Sequence, residues 1–384
     1  MDNMKPLNPI QKTVVGVQFL FVAFGATVLV PLLVGLDPST ALFTAGIGTL
    51  IFHLVTRGKV PIFLGSSFAF VAPIIKATEL YGLPGTMSGL VAVGTVYGLM
   101  SLLVRWRGIG FIKRLFPPVV IGPVIILIGL SLADSGVNMA KENWLLALVA
   151  LLTAILASML GRGMLRLIPI FCGIIVGYLT ASLFGLIDFK PVIEAPWLAF
   201  PQFVKPSLSW EAVIFMIPVT IAPVIEHIGD VYAINEVTGK DFVKDPGLHR
   251  SLLGDNLSTM ISGLIGSVPT TTYGENIGVM AVTRVYSVRV IAGAAVLSII
   301  CSFIGKLSML ISSIPGPVIG GISFLLYGMI GTSGLRILVD SQVDYGKSRN
   351  LALTSVIFVT GLSGIAVNIG NIQLREWFWP VLRE

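Results

Sequence analysis

Charged residues, cysteine and histidine are all scarce in this chain of 384 residues. Asp, Glu, Lys and Arg make up 11% of the sequence, whereas a soluble domain contains about 25%. Hydrophobic residues reach 55%, and they are spread over the whole length, which excludes a soluble domain carried on a single membrane anchor. We therefore expect the lipid bilayer to be the main solvent.

The scarcity of metal ligands and nucleophile motifs argues against an enzyme. The two cysteines, Cys172 and Cys301, lie in apolar runs and provide neither a disulfide framework nor a ligand cluster for zinc or iron-sulfur. The sequence contains no nucleophile elbow and no phosphate loop. We expect no enzymatic activity, no metal and no cofactor.

Long apolar segments dominate instead. At about 20 residues per crossing of the hydrocarbon, roughly thirteen segments are recognisable, and they predict an all-α polytopic membrane protein. They cover residues 13–35, 39–55, 61–75 and 87–104, begin again near 118, 144 and 168, and continue over 211–231, 251–266, 268–282, 290–310, 317–338 and 351–369.

The basic residues follow the topology that these segments impose. The net charge is +6, and with a cytoplasmic N-terminus most Lys and Arg fall in cytoplasmic turns, as the positive-inside rule requires. The basic excess therefore needs no nucleic-acid partner.

Two segments differ from ordinary membrane helices. Residues 60–73 (VPIFLGSSFAFVAP) and 268–278 (VPTTTYGENIG) are short, bounded by proline and rich in Ser, Thr and Gly, so we predict extended backbone in both. Irregular backbone at membrane depth persists only against protein or a water-filled cavity. Broken segments in equivalent positions of two halves are typical of the binding sites of secondary transporters. Re-entrant packing elements or a pair of kinks are the alternative.

Carboxylates in an apolar helix are the clearest candidate functional groups. Glu226 and Asp230 are spaced i and i+4, which places both on one helical face. An ionised carboxylate at mid-membrane costs about 2.5 to 3.5 kcal/mol, so the pair is expected to bind a proton. The alternative is a carboxylate at a helix end in water, which fits Asp230 better than Glu226. His227 points about 100° away and is interpreted as a packing or supporting residue.

A third acid, Glu275, follows Gly274 in the second broken segment. Glycine lets a ligand approach the backbone, and a helix starting here would aim free amides at the same space. The corresponding amides of the first half would lie near Ser66, Ser67 and Phe68. Carboxylates, amides and the Phe68 ring together fit a flat heterocycle with alternating N–H and C=O groups, although Phe68 is equally consistent with lipid or core packing.

Four stretches carry a resemblance to a known family. They are FGATVLVP (24–31), LGSSFAF (64–70), DPGLHRS (245–251) and TTYGENIGVMAVTR (271–284). The last contains an acid or amide, Asn, any residue, Gly, four residues, Thr and a basic residue, here Glu275, Asn276, Gly278, Thr283 and Arg284. The chain resembles the nucleobase/ascorbate transporter (xanthine/uracil permease) family, and within it the bacterial uracil permeases.

The resemblance implies fourteen membrane segments in an inverted 7+7 repeat, with two short extended segments crossing at the midplane. It places a core domain in residues 1–116 and 208–311 and a gate domain in 117–207 and 312–384. Residues 371–384 are too short and too charged to span the membrane, so the last helix is expected to be missing. The implied location is the bacterial inner membrane, with a homodimer left open.

The resemblance also implies a proton-coupled uracil symporter with defined site residues. Substrate-binding roles fall on Phe68, Glu226, Tyr273, Gly274, Glu275 and Tyr327. Proton-coupling roles fall on Glu226, Asp230 and Glu275, and supporting roles fall on Gln18, Ser67, His227, Asn276, Thr283 and Arg284.

Three departures from the family pattern keep alternatives open, and the first is the expected absence of the last helix. Asp230 stands where some uracil permeases have His, and it matches the purine-transporting branch. Gln18 is followed by Phe19 where Gln-His is common. A xanthine or purine permease, an anion transporter or channel of the same fold, and a truncated inactive permease therefore remain alternatives to the uracil importer.

Overall fold

A computed structural model describes residues 9–108, 110–111, 117–363, 367–369 and 372–374. Its strands are β1 Leu64–Ser66, β2 Thr270–Thr272, β3 Val367–Ile369 and β4 Ile372–Leu374. Its α-helices are α1 Pro9–Leu33, α2 Pro38–Val55, α3 Val71–Arg107, α4 Pro118–Ser131, α5 Ala133–Ala140, α6 Trp144–Leu160, α7 Pro169–Leu183, α8 Lys190–Glu194, α9 Trp210–Met216, α10 Ile221–Thr238, α11 Leu248–Ile265, α12 Gly274–Thr283, α13 Val288–Ser302, α14 Gly305–Ser312, α15 Gly316–Asp340 and α16 Ser348–Ser363.

Long apolar helices account for most of the described chain. Six helical runs have the length and composition to cross a membrane: Thr13–Leu33, Pro38–Val55, Phe68–Arg107, Pro118–Ala140, Trp210–Thr238 and Gly316–Asp340. Shorter apolar helices cover Trp144–Leu160, Pro169–Leu183 and Val288–Ser302. The prediction of a helical multi-pass membrane protein is confirmed. The expectations of a cytoplasmic N-terminus and of a missing last helix fall on residues 1–8 and 375–384, outside the described residues.

Several predicted segment boundaries are wrong. The predicted 211–231 segment continues to Thr238 at the end of α10, and the predicted 290–310 segment divides into α13 and α14. The segment placed at 351–369 includes the strand β3, Val367–Ile369, at its end. In each case the apolar run is interrupted or extended by local backbone geometry, which hydropathy alone does not encode.

The predicted break between residues 75 and 87 is confirmed, and it is confined to Gly82. This residue has φ 71° and ψ 162°, a conformation that glycine adopts without steric penalty. Helix α3 therefore consists of two helical parts that meet at Gly82. The second part carries Tyr97 into the centre of the bundle, where its side chain is fully buried.

The two broken segments form the short strands β1 and β2, which pair antiparallel. Leu64 lies opposite Thr272, and Ser66 lies opposite Thr270. Two threonines from neighbouring helices complete the hydrogen bonding: the Leu64 amide donates to Thr49 Oγ1 at 2.9 Å, and Thr259 Oγ1 donates to the Thr270 carbonyl at 2.8 Å. The prediction of extended backbone is confirmed, and its polar groups are satisfied by protein.

The helices pack as two groups. One group contains α1, α2, α3 and α9 to α13, with α11 against α3 and α13 against α2. The other contains α4 to α7, α15 and α16, with α15 against α4 and α6. The groups meet where α1 packs on α7: a Cβ at Gly25 would lie 3.2 Å from the Phe171 amide nitrogen. Strands β1 and β2 both lie in the first group.

Candidate functional site

Four carboxyl side chains converge in the first helix group. Glu226 and Asp230 come from α10, Asp255 from α11 and Glu275 from α12, and their charges interact with one another. Glu226 is exposed, Asp230 and Glu275 are half-buried, and Asp255 is fully buried. Three of the acids are therefore accessible, while Asp255 lies within the packed helices.

Asp230 is fixed by the second strand. Thr272 Oγ1 donates to Asp230 Oδ2 at 2.6 Å, and a Cβ at Gly274 would lie 3.5 Å from Asp230 Oδ1. Helix α10 continues for two turns beyond Asp230, so the alternative of a carboxylate at a helix end is wrong for this residue. The hydrogen bond orients the carboxylate toward the start of α12.

Gly274 and Glu275 open helix α12, which begins directly after β2. Gly274 is exposed, and the first amides of a helix have no intrahelical acceptor. A ligand beside Glu275 would therefore meet a carboxylate together with free N–H donors and the positive end of the helix dipole. The local sequence explains the geometry, because the Thr run favours a strand and the absence of a side chain at Gly274 leaves the start of the helix accessible.

The first half presents fewer free amides than predicted. The Ser67 amide donates to the Pro269 carbonyl at 2.9 Å, and Ser66 lies within the paired strand. The prediction of a free amide is therefore wrong for Ser67. Ser66 lies at a position of the antiparallel pair whose backbone groups point away from the partner strand, so its free amide stays a prediction. Phe68, partly buried at the start of a 3₁₀ turn, stays the candidate donor of this half. The Ser67 hydroxyl is buried without a hydrogen-bond partner.

Tyr273 braces the two strands. Its hydroxyl donates to the Ser66 carbonyl at 3.0 Å, and its amide donates to the Phe63 carbonyl at 3.3 Å. The ring covers Gly65, where a Cβ would lie 2.4 Å from the ring atoms, so any larger residue would displace it. The structure thus shows a scaffold contact for Tyr273, and its contact with substrate stays a prediction.

Sequence reasoning missed Asp255 and Tyr97. Tyr97 Oη donates to Asp255 Oδ2 at 2.7 Å, and His227 Nδ1 lies 3.3 Å from the same oxygen. All three side chains are fully buried, which places His227 in the packed interior, in keeping with a supporting position. An acid in the apolar run 251–266 was the available signal, the same signal that identified Glu226.

Tyr327 is not brought together with the acids. It is buried on α15 and lines a separate cavity of about 180 Å³ that is also bordered by Gly129, Ala133, Gly136 and Phe324. This cavity lies within the second helix group. The described arrangement therefore does not place Tyr327 beside the clustered acids, and its contact with substrate stays a prediction.

The remaining supporting candidates are dispersed. Asn276 is buried beside Glu275, and both its side-chain polar atoms lack hydrogen-bond partners. Thr283 Oγ1 donates to the Val279 carbonyl at 2.7 Å, while Arg284 is exposed and ends α12 with φ 54°. Gln18 is half-buried on α1. Among the described residues, no three His, Cys, Asp or Glu side chains are arranged to hold a metal ion.

Comparison with known proteins places this geometry in a family. The xanthine/uracil permease model, described as "Permease family", matches residues 10–370. The chain is 51% identical to the uracil permease of Bacillus caldolyticus over 369 residues, covering 92% of this chain and 85% of the relative. It is 48% identical to the uracil permease of Bacillus subtilis over 378 residues, covering 93% and 87%.

The fold also resembles a solved structure of low sequence identity. The transmembrane domain of the cyanobacterial bicarbonate transporter BicA superposes with a TM-score of 0.68 at 15% identity, covering 94% of this chain and 97% of that domain. This likeness concerns the fold alone. The family match over nearly the whole chain, together with relatives sharing about half of its residues, shows that this protein is a permease and not an enzyme, and that it belongs to the xanthine/uracil permease family.

Proposed function

We propose that this protein imports a nucleobase, uracil first among them, together with protons across the bacterial inner membrane. The observation that carries the proposal is the proximity of three accessible acids, Glu226, Asp230 and Glu275, to one another and to the strand β2. The similarity to proteins named uracil permeases supports the choice of substrate.

The site offers hydrogen-bond partners that match a pyrimidine with alternating N–H and C=O groups. Glu226 and Glu275 accept from ring N–H groups, and the amides of Phe68 and Gly274 donate to ring carbonyls. The Phe68 ring covers one face of the base. Tyr273 keeps the strands in register, and Tyr327 approaches from the other helix group.

Proton coupling follows from the crowding of like charges. Carboxylates that interact at short range cannot all stay ionised without a large electrostatic penalty, so a proton bound among Glu226, Asp230 and Glu275 lowers the repulsion and accompanies the substrate. Closely coupled acids titrate as one system, and the proton therefore belongs to the cluster. Thr272 biases its distribution by donating to Asp230.

Movement between the two helix groups would expose the site alternately to either side. We assign residues 1–116 and 208–311 to a core domain and residues 117–207 and 312–384 to a gate domain, related by an inverted 7+7 repeat, with the N-terminus in the cytoplasm. The broken segments stay within the core, and rocking of the gate opens the path.

Uptake of radiolabelled uracil into proteoliposomes tests the proposal. Uptake should rise with an inward proton gradient and should fall to background in Glu226→Gln and Glu275→Gln. Glu79→Gln is the matched control, because Glu79 is an exposed acid paired with Lys76 on α3. Wild-type uptake in either site variant, or uptake that ignores the gradient, would refute the proposal.

Asp230 favours xanthine as a second candidate substrate, since the resemblance associates this residue type with purine transport. Competition by unlabelled uracil, xanthine and thymine against labelled uracil separates the candidates. Displacement by xanthine at concentrations where uracil has no effect would assign the protein to purines. Asp230→His should then shift the preference toward uracil.

A further inference from the structure

A further cavity lies at the ends of three helices, α2, α10 and α13. Its volume is about 760 Å³, which is within the range of small-molecule sites. Three turns surround it: residues 56–60 after α2, residues 239–247 after α10 and residues 284–289 before α13. None of the four clustered acids lines this cavity.

The turns around the cavity are strongly basic. Together they contain six Lys or Arg residues and two Asp residues. Lys59 Nζ pairs with Asp245 at 2.5 and 2.6 Å from its two carboxylate oxygens, which neutralises one of the acids. Asp241, the other acid, accepts from the Lys244 amide at 3.2 Å.

Lys240 and Arg289 therefore line the cavity as unpaired cations. Neither forms an ion pair with any residue that the structure describes, and both are exposed. Because Asp241 offsets one of these two cations, the residues that line the cavity keep a net charge of one positive unit. The neighbouring exposed cations of the same turns add to the positive potential.

Backbone donors reinforce these cations. Helix α13 runs over 15 residues from Val288, and its first intrahelical donors are the amides of Val290 and Ile291, which both donate to the Ser287 carbonyl. The amides of Val288 and Arg289 have no acceptor within the helix, and Ser287 makes no side-chain capping bond. Cations together with helix-start amides are the chemistry that binds phosphate oxygens.

We propose that this cavity binds a phosphate ester, supplied by the headgroup of an anionic phospholipid or by a soluble phosphate compound. Lys240 and Arg289 contact the phosphate oxygens, and the start of α13 donates to them. Phe242 and Tyr286, which also line the cavity, contact the less polar part of the ligand. The proposal is independent of the transported substrate.

The test uses the purified full-length protein in phosphatidylcholine nanodiscs. In one arm the midpoint of thermal unfolding is followed while inorganic phosphate is added, with chloride at matched ionic strength as the reference. In the other arm phosphatidylglycerol replaces part of the phosphatidylcholine. We expect a rise in the midpoint in at least one arm, and the arm that responds identifies the source of the phosphate.

Variants connect the response to the cavity. Lys240→Ala and Arg289→Ala should each weaken the apparent affinity about fivefold, because a cation near an anionic surface contributes an effect of that order. The double variant should weaken it about 25-fold if the two act independently, and Arg289→Lys should restore part of the affinity.

Lys244→Ala is the matched control, since Lys244 is an exposed cation of the same turn that does not line the cavity. It should change the apparent affinity by less than about twofold. An equal response of wild type and the double variant, or no response to either probe, would overturn the proposal.

Discussion

The two broken segments have similar backbone arrangements but different side-chain chemistry. In each half the first residue of the strand is held by a threonine of the preceding helix, Leu64 by Thr49 and Thr270 by Thr259. With these two first residues aligned, Phe68 corresponds to Gly274, and Ala69 corresponds to Glu275. The backbone is thus repeated, while the charge is confined to one half.

All four clustered acids belong to the second half of the chain. The first half contributes neutral partners: the Tyr97 hydroxyl, which donates to Asp255, and the β1 backbone, which pairs with β2. A symmetric scaffold therefore carries an asymmetric candidate site. Confining the acids to one half lets them share protons among themselves, whereas acids on both sides of the strand pair would be separated by packed backbone.

Moving the carboxylate of Glu275 to the equivalent position of the first half, Ala69, should produce the largest effect. Glu275→Ala should lower uracil uptake at least about thirtyfold, since it removes an acceptor from a desolvated polar contact. Adding Ala69→Glu should not restore uptake, because the remaining acids stay on the other side. Initial uptake rates in proteoliposomes measure this, and recovery in the double variant would show that the asymmetry is dispensable.

The contact between the halves at Asp255 should have the next largest effect. Tyr97→Phe removes the donor to a buried carboxylate, and hydrogen bonds to charged groups contribute about 1.5 to 3 kcal/mol. We expect a loss of this size in the free energy of unfolding, measured by denaturant titration in detergent. The control is Tyr178→Phe, which removes a neutral, partly buried hydrogen bond to Ser313. Equal losses in both variants would argue against a special role for Asp255.

The two threonines that hold the strands test the symmetry of the scaffold. Thr49→Val and Thr259→Val should each destabilise the protein by about 1 to 2 kcal/mol, because each leaves a buried backbone group without its partner. Thr95→Val is the control, since Thr95 is exposed and bonds only within its own helix. A thermal-shift series in one detergent would compare them, and a large difference between Thr49 and Thr259 would mean that the halves are held differently.

Asp37, an acid of the first half that lies between α1 and α2, should show the smallest effect. Burial acts to raise the pKa of Asp37, but hydrogen bonds from Ser39, the Gln202 amide and Ser308 outweigh it, so the pKa lies below its ordinary value. Its stabilisation is therefore present above the ordinary value and is lost as the pH falls through the lowered pKa.

Asp37→Ala removes the N-cap of α2 and should cost about 1 kcal/mol near neutral pH. The difference in unfolding midpoint from wild type should shrink as the pH is lowered toward the acid range. Asp188→Ala, at an exposed acid that accepts only the Lys190 amide, should change the midpoint less. A constant difference at all pH values would show that the charge of Asp37 does not contribute.

Much of this architecture was predictable because it depends on local pattern. Apolar runs predict helices wherever water is absent, and the Ser/Thr/Gly-rich, proline-bounded stretches predict extended backbone. The continuation of α10 to Thr238 was not predictable. The apolar run ends near Val231 and polar residues such as Asn235 and Glu236 follow, so hydropathy marks the end of the run and not the end of the helix.

The candidate site was predictable in part for the same reason. An acid in an apolar helix is visible in the sequence, which identified Glu226, Asp230 and Glu275. Asp255 carries the same signal, yet its partner Tyr97 lies 158 positions away, and no spacing rule relates the two. The free amide expected at Ser67 was wrong because the Pro269 carbonyl, about 200 residues later in the chain, accepts from it.

The amino-acid sequence by itself determined that this protein lies in a membrane, that two of its segments are interrupted and that its apolar helices contain acids, because these features follow from local composition and from the free energy of transferring each residue into hydrocarbon. The tertiary structure decided which broken segment pairs with which, that the Thr272 hydroxyl orients Asp230, and that three basic turns enclose a cavity. These features depend on contacts between segments that are distant in the sequence, and such contacts contribute to stability only when packing brings the two segments together.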